Sequence, residues 1–467
     1  MPERFTKSRT GTIPVGSERD RAIQELEQRF SPGAIRRNRL NRLFQGNAWL
    51  VWIQLLTGAK RALDILTSGA LLLVSLPLLV LLWAAARLRG GGVVRTERLG
   101  RWGCVFQERA FSSGPLRNLP ALLNVLAGDM SLIGPRAVSP GQVTAEDRAA
   151  WRRFNIRPGL ICLWWIRKRA NIDFGSEWDT DAEYLDSQSF FGDLAIALRA
   201  IPAAFYGEGV ALAPERISLM GIPVDNLTMD EAIDAILQRA QPGRAPSQLC
   251  FVNADCVNIA YRNSAYRKLL CQAGIVLADG IGVKLAGRIL NTNIRQNVNG
   301  TDLFPRLCAA LETSPAGLYL LGGQPGVPDA VAQWISGHHP NVKICGYHHG
   351  FFPASELPQI TQGIRDSGAE ILLVAFGVPK QELWIAQNLA QTGARIGIGV
   401  GGLFDFYSGR IRRAPVWMRE IGMEWIYRFL QEPGRMWRRY FLGNFVFLCL
   451  VLGRRFLPGR SFEGNAE

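Results

Sequence analysis

The chain has 467 residues, of which 48% are hydrophobic, and it carries a formal net charge of +14. This length allows two or three domains, and the apolar content is ample for packed cores. The excess of basic residues requires an anionic partner. Many arginines stand beside apolar stretches, and no DNA- or RNA-binding signature accompanies them. We therefore exclude nucleic acid and expect an anionic membrane surface.

The N-terminal stretch is polar and rich in arginine. Residues 1–45 are predicted to form a flexible basic tail, with one short helix near residues 20–30. Its basic run at residues 36–42 precedes Trp49 and Trp52, a pattern typical of interfacial segments, although a solvated helix face packed on protein would look the same. Because the stretch lacks the early apolar core of a signal peptide, we expect it to stay in the cytosol.

An uncharged apolar run follows at residues 65–86 and is long enough, as a helix, to span a bilayer. Pro77 in its middle is predicted to break the helix. Lys60 precedes the run and Arg87 follows it, whereas a spanning helix normally has its positive excess on one side only. The pattern favours a re-entrant helix with both ends in the cytosol, with an ordinary spanning helix as the alternative.

After a basic soluble segment that ends near residue 209, short β-rich runs alternate with helical patterns. The clearest runs are residues 249–252, 274–277, 318–321, 371–375 and 396–400. Strands separated by helices predict βαβ units and a parallel sheet, so the fold class is α/β. A last apolar run at residues 440–453 is too short to span a membrane. It is either an interfacial helix or a helix that caps the last domain.

The first half contains four motifs in a distinctive order: KRALDILTSGALLLVSLPLLVLL, RTERLGRWG, NVLAGDMSLIGPR and RPGLICLWWIRKR. They resemble the bacterial sugar transferases, which are polyprenol-phosphate phosphoglycosyl transferases, over roughly residues 60–209. In that family an Asp-Glu pair supplies the nucleophile, but here Arg117 and Asn118 stand in its place, and the segment before it shrinks to FSSGP. A guanidinium cannot form an acyl phosphate, so we expect an inactive module without Mg²⁺. Arg136 is either a polyprenyl-phosphate ligand or a structural ion pair.

From residue 217 to about 456 another set of motifs follows: FVNADCVNIA, VLADGIGV, NVNGTDLF, LYLLGGQPG, VAFGVPKQELWI, GIGVGGLFDFYSGRIRRAPVWM and GMEWIYRFLQEPGRMWRRY. In content and order they resemble the WecG/TagA/CpsF glycosyltransferases. The resemblance implies a Rossmann-like sheet, inverting transfer of a sugar from a UDP-sugar to a polyprenyl-diphosphate-linked sugar, and no metal or other cofactor. The eight cysteines show no metal spacing and are expected to be buried free thiols in a reducing compartment.

Inverting transfer needs a base that takes the proton of the acceptor hydroxyl. Asp279 follows a predicted strand, where α/β folds bind ligands, and it matches the proposed base of the family; an Asp-Gly turn is the structural alternative. Asn253 is expected to hold a substrate hydroxyl or to orient Asp279. By resemblance Gln381 faces the substrate, whereas Glu382 only caps a helix. These assignments make Asp279, Asn253 and Gln381 the predicted catalytic residues.

Glycine turns and basic side chains are the expected ligands of the diphosphates. The predicted substrate-binding residues are Gly322, Gly323, Gly377, Lys380, Gly401, Gly402, Asp405, Asp302, Arg410, Arg412, Arg413, Arg435, Arg438 and Arg439. Asp302 is alternatively a helix cap, and the last three arginines are expected to meet lipid headgroups as well. Two positions depart from the family pattern: Phe251 stands where Thr is frequent and Asn297 where Arg is common.

These observations divide the chain into a tail (1–45), a degenerate phosphoglycosyl-transferase-like membrane domain (46–212) and a glycosyltransferase domain (213–467). We expect a monotopic glycosyltransferase on the cytosolic face of the membrane, acting in exopolysaccharide or other cell-surface glycan synthesis. A bifunctional enzyme that also performs phosphoglycosyl transfer is one alternative, and a non-catalytic scaffold of a polysaccharide assembly complex is another. Expected partners are the UDP-sugar, the polyprenyl-diphosphate-sugar and the anionic membrane surface, with homo-oligomerisation left open.

Overall fold

The computed structural model describes residues 32–88, 90–112, 116–143, 151–170, 175–206 and 214–456. The described residues fall into two compact units. One contains the chain up to Thr96 together with Glu108–Leu132, and the other contains Glu97–Gln107 together with the residues from Ile133 onwards. The second unit therefore combines the glycosyltransferase-like half with much of the segment that resembles bacterial sugar transferases.

The first unit begins with the 57-residue helix α1 (Pro32–Leu88), which contains Pro77. The predicted break at Pro77 is wrong, because a long helix keeps the hydrogen bonds of its many other turns when proline removes one donor. The tail prediction is also wrong for residues 32–45, which are helical. The short helix predicted at residues 20–30 lies outside the described residues.

Within α1, the part Thr57–Leu88 is long and apolar enough to cross a membrane. Its large apolar side chains are mostly exposed, including Leu73, Val74 and Leu81. An apolar helix of this length that remains exposed requires an apolar environment, so this feature indicates association with a membrane.

Two polar side chains attach α1 to the rest of the first unit. Arg61 donates hydrogen bonds to the carbonyls of Val125 (2.7 Å) and Leu126 (3.0 Å) at the end of α2 (Leu122–Ala127). Asp64 is buried and accepts a hydrogen bond from Ser131 Oγ at 2.7 Å.

The strands β1 (Val93–Leu99) and β2 (Val105–Phe111) pair with each other, and β3 is Ser131–Ile133.

Arg117 and Asn118 are both exposed, on the turn between β2 and α2. The Arg117 carbonyl accepts a hydrogen bond from the amide of Phe111 at 2.8 Å. The turn is therefore held through its backbone, and the two side chains that replace the acidic pair face solvent.

The sugar-transferase-like part of the second unit contains β4 (Gly159–Ile161) and three helices, α3 (Leu163–Ala170), α4 (Glu177–Ser187) and α5 (Phe190–Tyr206). The helices share a small apolar core. Arg136 pairs with Glu177 at 2.6 Å and stacks over the ring of Trp164. These contacts support the structural ion pair that was one of the two interpretations of Arg136.

A parallel sheet dominates the second unit and confirms the predicted α/β class. Its strands are β7 (Ser247–Val252), β8 (Ile275–Ala278), β9 (Leu318–Gly322), β10 (Ile344–His348), β11 (Ile371–Ala375) and β12 (Ile396–Gly399). They lie in the order β10-β9-β11-β12-β7-β8, and each neighbouring pair is parallel. Five of the six were predicted; β10 was missed because this edge strand is only partly buried and its sequence lacks an apolar run.

Helices cover both faces of this sheet, as its fully buried strands require. They are α6 (Met229–Ala240), α7 (Ala254–Arg262), α8 (Ser264–Gln272), α9 (Ile281–Ile289), α10 (Gly300–Leu311), α11 (Val327–His338), α12 (Leu357–Ser367) and α13 (Lys380–Thr392). Successive strand residues point to opposite faces: Leu318 and Leu320 belong to one core cluster, Tyr319 and Leu321 to another. A small antiparallel hairpin of β5 (Arg216–Leu219) and β6 (Ile222–Asp225) precedes α6.

Four short helices and one longer helix close the described chain: α14 (Leu403–Tyr407), α15 (Val416–Glu420), α16 (Glu424–Gln431), α17 (Pro433–Trp437) and the longer α18 (Gly443–Phe456). Phe447 and Val451 of α18 are buried in the core cluster that includes residues of α7 and α9. Phe445 and Leu448, on the same helix, are exposed. The helix thus caps the domain with one face and leaves an apolar face uncovered, so the two interpretations of this run are compatible.

Candidate functional site

The sheet brings the predicted site residues together because parallel strands end at a common edge. Asn253 follows β7 and Asp279 follows β8, while glycines follow β9, β11 and β12. These turns surround a cavity of about 490 Å³. Of the predicted residues, those in its lining are Asn253, Asp279, Gly323, Gly377, Lys380, Gln381, Gly401, Gly402, Asp405, Arg410, Arg435 and Arg439.

Asp279 is oriented by the residue that was predicted to act with it. The side-chain amide of Asn253 donates to Asp279 Oδ2 at 3.5 Å. The side-chain Oδ1 of Asn253 caps α7, because it accepts hydrogen bonds from the backbone amides of Asp255 and Cys256, both at 3.1 Å. The cap fixes the amide, and this contact favours the orienting role, which is one of the two roles expected of Asn253. Burial raises the pKa of Asp279 to about 6, although the hydrogen bond from Asn253 and the charge of Arg439 lower it.

The turn that contains Asp279 is held by Asn297, one of the two residues that depart from the family pattern. Asn297 Oδ1 accepts a hydrogen bond from the amide of Gly280 at 2.6 Å. The side chain at position 297 therefore holds the backbone beside the carboxylate instead of supplying a charge. At the other departure, the ring of Phe251 lies against Gly300 at the start of α10.

Gln381 ties two glycine turns to each other. Its Oε1 accepts from the amides of Gly377 at 3.1 Å and Gly401 at 2.8 Å, and its Nε2 donates to Glu382 at 2.7 Å. Gln381 and Glu382 are both buried, and burial raises the pKa of the Glu382 carboxyl to about 7. These contacts favour a positioning role for Gln381 over the predicted direct contact with substrate. Glu382 is a buried partner of Gln381.

The glycines of these turns adopt conformations that side chains disfavour. Gly377 and Gly401 have φ angles of 80° and 56°. A Cβ at Gly402 would collide with the guanidinium of Arg428. Because the amides of Gly377 and Gly401 donate to Gln381, these glycines serve the turn geometry and leave room for a ligand to approach the backbone closely. Gly322 instead lies against the backbone of Ala375 on the neighbouring strand, where a Cβ would collide, so glycine is needed here for strand packing.

Four other predicted ligands lie outside the lining of this cavity. Asp302 is buried and binds Arg413 at 2.8 Å, while Asn299 takes the capping role at the start of α10. Arg412 is exposed, and Arg438 stacks over the ring of Trp437. Asp302 also lines a smaller cavity beside Asp279, so its contact with a sugar hydroxyl stays a prediction, as do the substrate contacts of Arg412, Arg413 and Arg438. In Asp302 and Arg413 the charges neutralise each other inside the protein.

Two further cavities adjoin Asp279. One of about 210 Å³ is lined by polar groups that include Asn299, Thr301 and Arg419. The other, of about 430 Å³, runs between α9 and α18 and is lined mainly by apolar side chains, among them Leu285. Asp279 and Arg428 each contribute to all three cavities. The predicted base thus lies where three binding spaces meet.

Arg428 is the most prominent site residue that was not singled out from the sequence. Its guanidinium stacks over the ring of Phe406 at 5.1 Å. Arg428 lies in the motif GMEWIYRFLQEPGRMWRRY, seven residues before the predicted ligand Arg435. In one continuous helix this spacing would place both side chains on the same face and would have pointed to Arg428. Pro433 begins a new helix between them, so the sequence does not suggest a continuous one.

The described residues contain no group of three or more His, Cys, Asp or Glu side chains that could hold a metal ion. All eight cysteines are free thiols, and Cys162, Cys250, Cys256 and Cys308 are buried as predicted. The predicted burial is wrong for Cys104, Cys271 and Cys449, which are exposed. Metal-independent transfer nevertheless remains an expectation drawn from the family resemblance.

The site places a carboxylate and glycine turns at the carboxyl edge of a parallel sheet, where α/β folds bind ligands. The family described as glycosyl transferase WecG/TagA/CpsF matches residues 217–461, more than half of the chain. The chain belongs to this family of glycosyltransferases. The bacterial sugar transferase family matches residues 109–207.

Two curated relatives illustrate the family. The N-acetylglucosaminyldiphosphoundecaprenol N-acetyl-beta-D-mannosaminyltransferase of Bacillus subtilis (strain 168) is 29% identical over 222 residues, covering 48% of this chain and 86% of that protein. The protein of the same name from Staphylococcus aureus (strain MW2) is 28% identical over 225 residues, covering 48% of this chain and 87% of that protein. Both matches leave about half of this chain without a counterpart.

Proposed function

We propose that this protein transfers a sugar, with inversion, from a UDP-sugar to a polyprenyl-diphosphate-linked sugar in cell-surface glycan synthesis, with exopolysaccharide as the expected product class. The observation that carries the proposal is the place of Asp279 at the junction of a glycine-lined, a polar and an apolar cavity. Each of these spaces suits one part of the two substrates. The names of the relatives, which describe transfer to a diphosphoundecaprenol-linked sugar, support the acceptor class.

The glycine-lined cavity is suited to the donor. The cations Lys380, Arg410 and Arg435 line it, and its glycine turns leave room for close approach to the backbone; both features favour a nucleoside diphosphate. The leaving diphosphate gains negative charge as its bond to the anomeric carbon breaks, and guanidinium groups stabilise that charge. Asp405 in the same lining accepts a hydrogen bond from Arg410 at 3.4 Å, and we assign it to the ribose or the base.

The acceptor fits the other two cavities. Its sugar would occupy the polar space, and the first part of its polyprenyl chain would lie in the apolar space between α9 and α18. Asp279 then removes the proton from the acceptor hydroxyl as the oxygen attacks the anomeric carbon. Arg428 and Arg439 line both the glycine-lined and the apolar cavities, where they would neutralise diphosphates.

Membrane attachment is assigned to α1 and to the exposed apolar residues of α5 and α18, which include Phe191 and Phe445. Basic residues on both flanks of the apolar run support a re-entrant course with the enzyme on the cytosolic face. Tethering keeps the enzyme where its lipid-linked acceptor is confined, which raises the effective acceptor concentration. We regard the lost Asp-Glu pair as evidence that the sugar-transferase-like module no longer performs phosphoglycosyl transfer.

The proposal is tested with the purified full chain in detergent, a panel of UDP-sugars and a polyprenyl-diphosphate-linked N-acetylglucosamine acceptor. We expect acceptor-dependent release of UDP that Asp279→Ala abolishes. A parallel reaction contains polyprenyl phosphate alone and is scored for UMP. UMP release would establish the bifunctional alternative, and the absence of both products across a broad panel would favour a scaffold.

A further inference from the structure

The sugar-transferase-like helices contact the glycosyltransferase part through buried charges. Glu420, the last residue of α15, is fully buried, and both of its oxygens are occupied. Arg167 of α3 donates to Oε1 at 2.8 Å, and Arg199 of α5 donates to Oε2 at 2.8 Å. Arg288 of α9 also donates to the carbonyl of Ala204 on α5, at 3.3 Å. A module that served only as an anchor would not need to satisfy a buried carboxylate of the catalytic half.

The ion-paired carboxylate lies directly beside a residue of the polar cavity. Arg419 precedes Glu420 on α15, lines that cavity and has a guanidinium nitrogen 3.8 Å from Asp302 Oδ1. Its Nε is buried and has no hydrogen-bond partner among the described residues. The two arginines of α3 and α5 thus fix the short helix that places Arg419 in the lining of the cavity.

The same module also supplies part of the cavity wall. Ala170, the last residue of α3, lines the polar cavity together with Asp279 and is itself buried. Residue 170 lies within the region that matches bacterial sugar transferases, whereas the remaining lining residues lie within the glycosyltransferase match. The cavity is therefore completed by the part of the chain that lacks the nucleophile of its own family.

We propose that the degenerate module has become part of the acceptor-sugar site: Ala170 forms its wall, and Arg167 and Arg199 position Arg419 through Glu420. This inference rests on the proposed function, because it takes the polar cavity to bind the acceptor sugar. Ala170 is a specificity-determining residue in this view, and Arg199 is a positioning residue. The module then limits which lipid-linked sugar is accepted, in addition to any role in attachment.

The test measures binding of farnesyl-diphosphate-linked N-acetylglucosamine, a short-chain acceptor analogue, to the full chain in detergent. Three variants, Ala170→Gly, Ala170→Val and Ala170→Leu, change the size of this side chain in steps. The Val variant can therefore still be measured if the Leu variant does not fold. Ala200→Leu is the matched control, because Ala200 is buried in the core of the same helices. UDP binding is measured in every variant as evidence that the donor cavity is intact.

We expect the dissociation constant for the analogue to rise with side-chain size, by at least about tenfold for Leu, which corresponds to the cost of overpacking a filled site. UDP binding should not change, and Ala200→Leu should leave both affinities near those of the wild type. Arg199→Ala should weaken analogue binding severalfold, and Arg199→Lys, which can still pair with Glu420, should restore it. If the wild type binds the analogue and the position-170 series does not alter that binding, the inference is wrong. A wild type that binds UDP but not the analogue contradicts the acceptor class of the proposed function as well.

Discussion

The ionisation of Asp279 makes a quantitative prediction about the acid side of the pH profile. With a pKa raised to about 6, the carboxylate required as base is lost as the pH falls through that value. At pH 5 only about one molecule in eleven would keep the ionised form, so kcat/KM should be about tenfold below its plateau. A carboxyl with an ordinary pKa near 3.8 would remain over nine-tenths ionised at pH 5 and would show almost no loss.

The assay is acceptor-dependent UDP release at subsaturating substrate between pH 4.5 and 8, at constant ionic strength. Asn253→Ser provides the comparison, because serine can still cap α7 while the amide that donates to Asp279 is removed. Since that hydrogen bond lowers the pKa of Asp279, the acid limb of the variant should move to higher pH. A flat profile down to pH 5, or a limb that stays in place in Asn253→Ser, would refute the assignment of Asp279 as a partly buried base oriented by Asn253.

Three further predictions follow from the site and from the degenerate module. Gln381→Leu leaves the amides of two glycine turns without their acceptor, so urea unfolding should show a loss of about 2–4 kcal/mol and the KM for the donor should rise; Gln362→Leu, at an exposed amide, is the control and should change neither. Arg428→Lys keeps a charge but loses the planar fork, and kcat/KM should fall about 10- to 100-fold with little change in melting temperature; an unchanged kcat/KM would count against its role at the junction. The double change Arg117→Asp with Asn118→Glu should not restore UMP release from a UDP-sugar and polyprenyl phosphate, because the preceding segment is also shortened; restored release would show that only the acidic pair was lost.

The sheet could be predicted because its strands are buried on both faces. Runs such as Ile371–Ala375 are apolar throughout, and they alternate with segments of helical pattern. Asp279 and the glycines at residues 377, 401 and 402 were identified because they follow such runs, and parallel strands end at one edge. β10 is an edge strand, only partly buried, and it lacks a continuous apolar run, so its sequence did not distinguish it from a loop.

Residue roles that depend on side-chain partners could not be read from the sequence. Asp302 and Arg413 have the residue types of substrate ligands, but folding places them 2.8 Å apart in a buried pair. Gln381 lies in the expected motif, yet its amide is occupied by backbone groups that are distant in the chain. Pairing of this kind is decided by tertiary packing, on which sequence spacing carries little information.

The junction between the two halves was likewise hidden from the sequence. Glu420 stands in a motif of the glycosyltransferase family, and its partner Arg167 stands in a motif that resembles the sugar transferases. Treating the halves as separate domains gave no reason to connect residues 253 positions apart in the chain. The single compact unit that contains both gives a structural basis for proposing that they share one site.

The most direct test of the account is to detect the product itself. Purified full chain, a UDP-sugar and a polyprenyl-diphosphate-linked N-acetylglucosamine are incubated in nanodiscs, and the lipid-linked glycan is analysed by mass spectrometry beside an Asp279→Asn variant that binds UDP normally. The account predicts an acceptor enlarged by one sugar residue in the wild type and at least about a hundredfold less product in the variant. An enlarged acceptor formed equally well by Asp279→Asn would contradict the central role given to Asp279, and a phosphosugar attached to polyprenyl phosphate in place of that product would contradict the account as a whole.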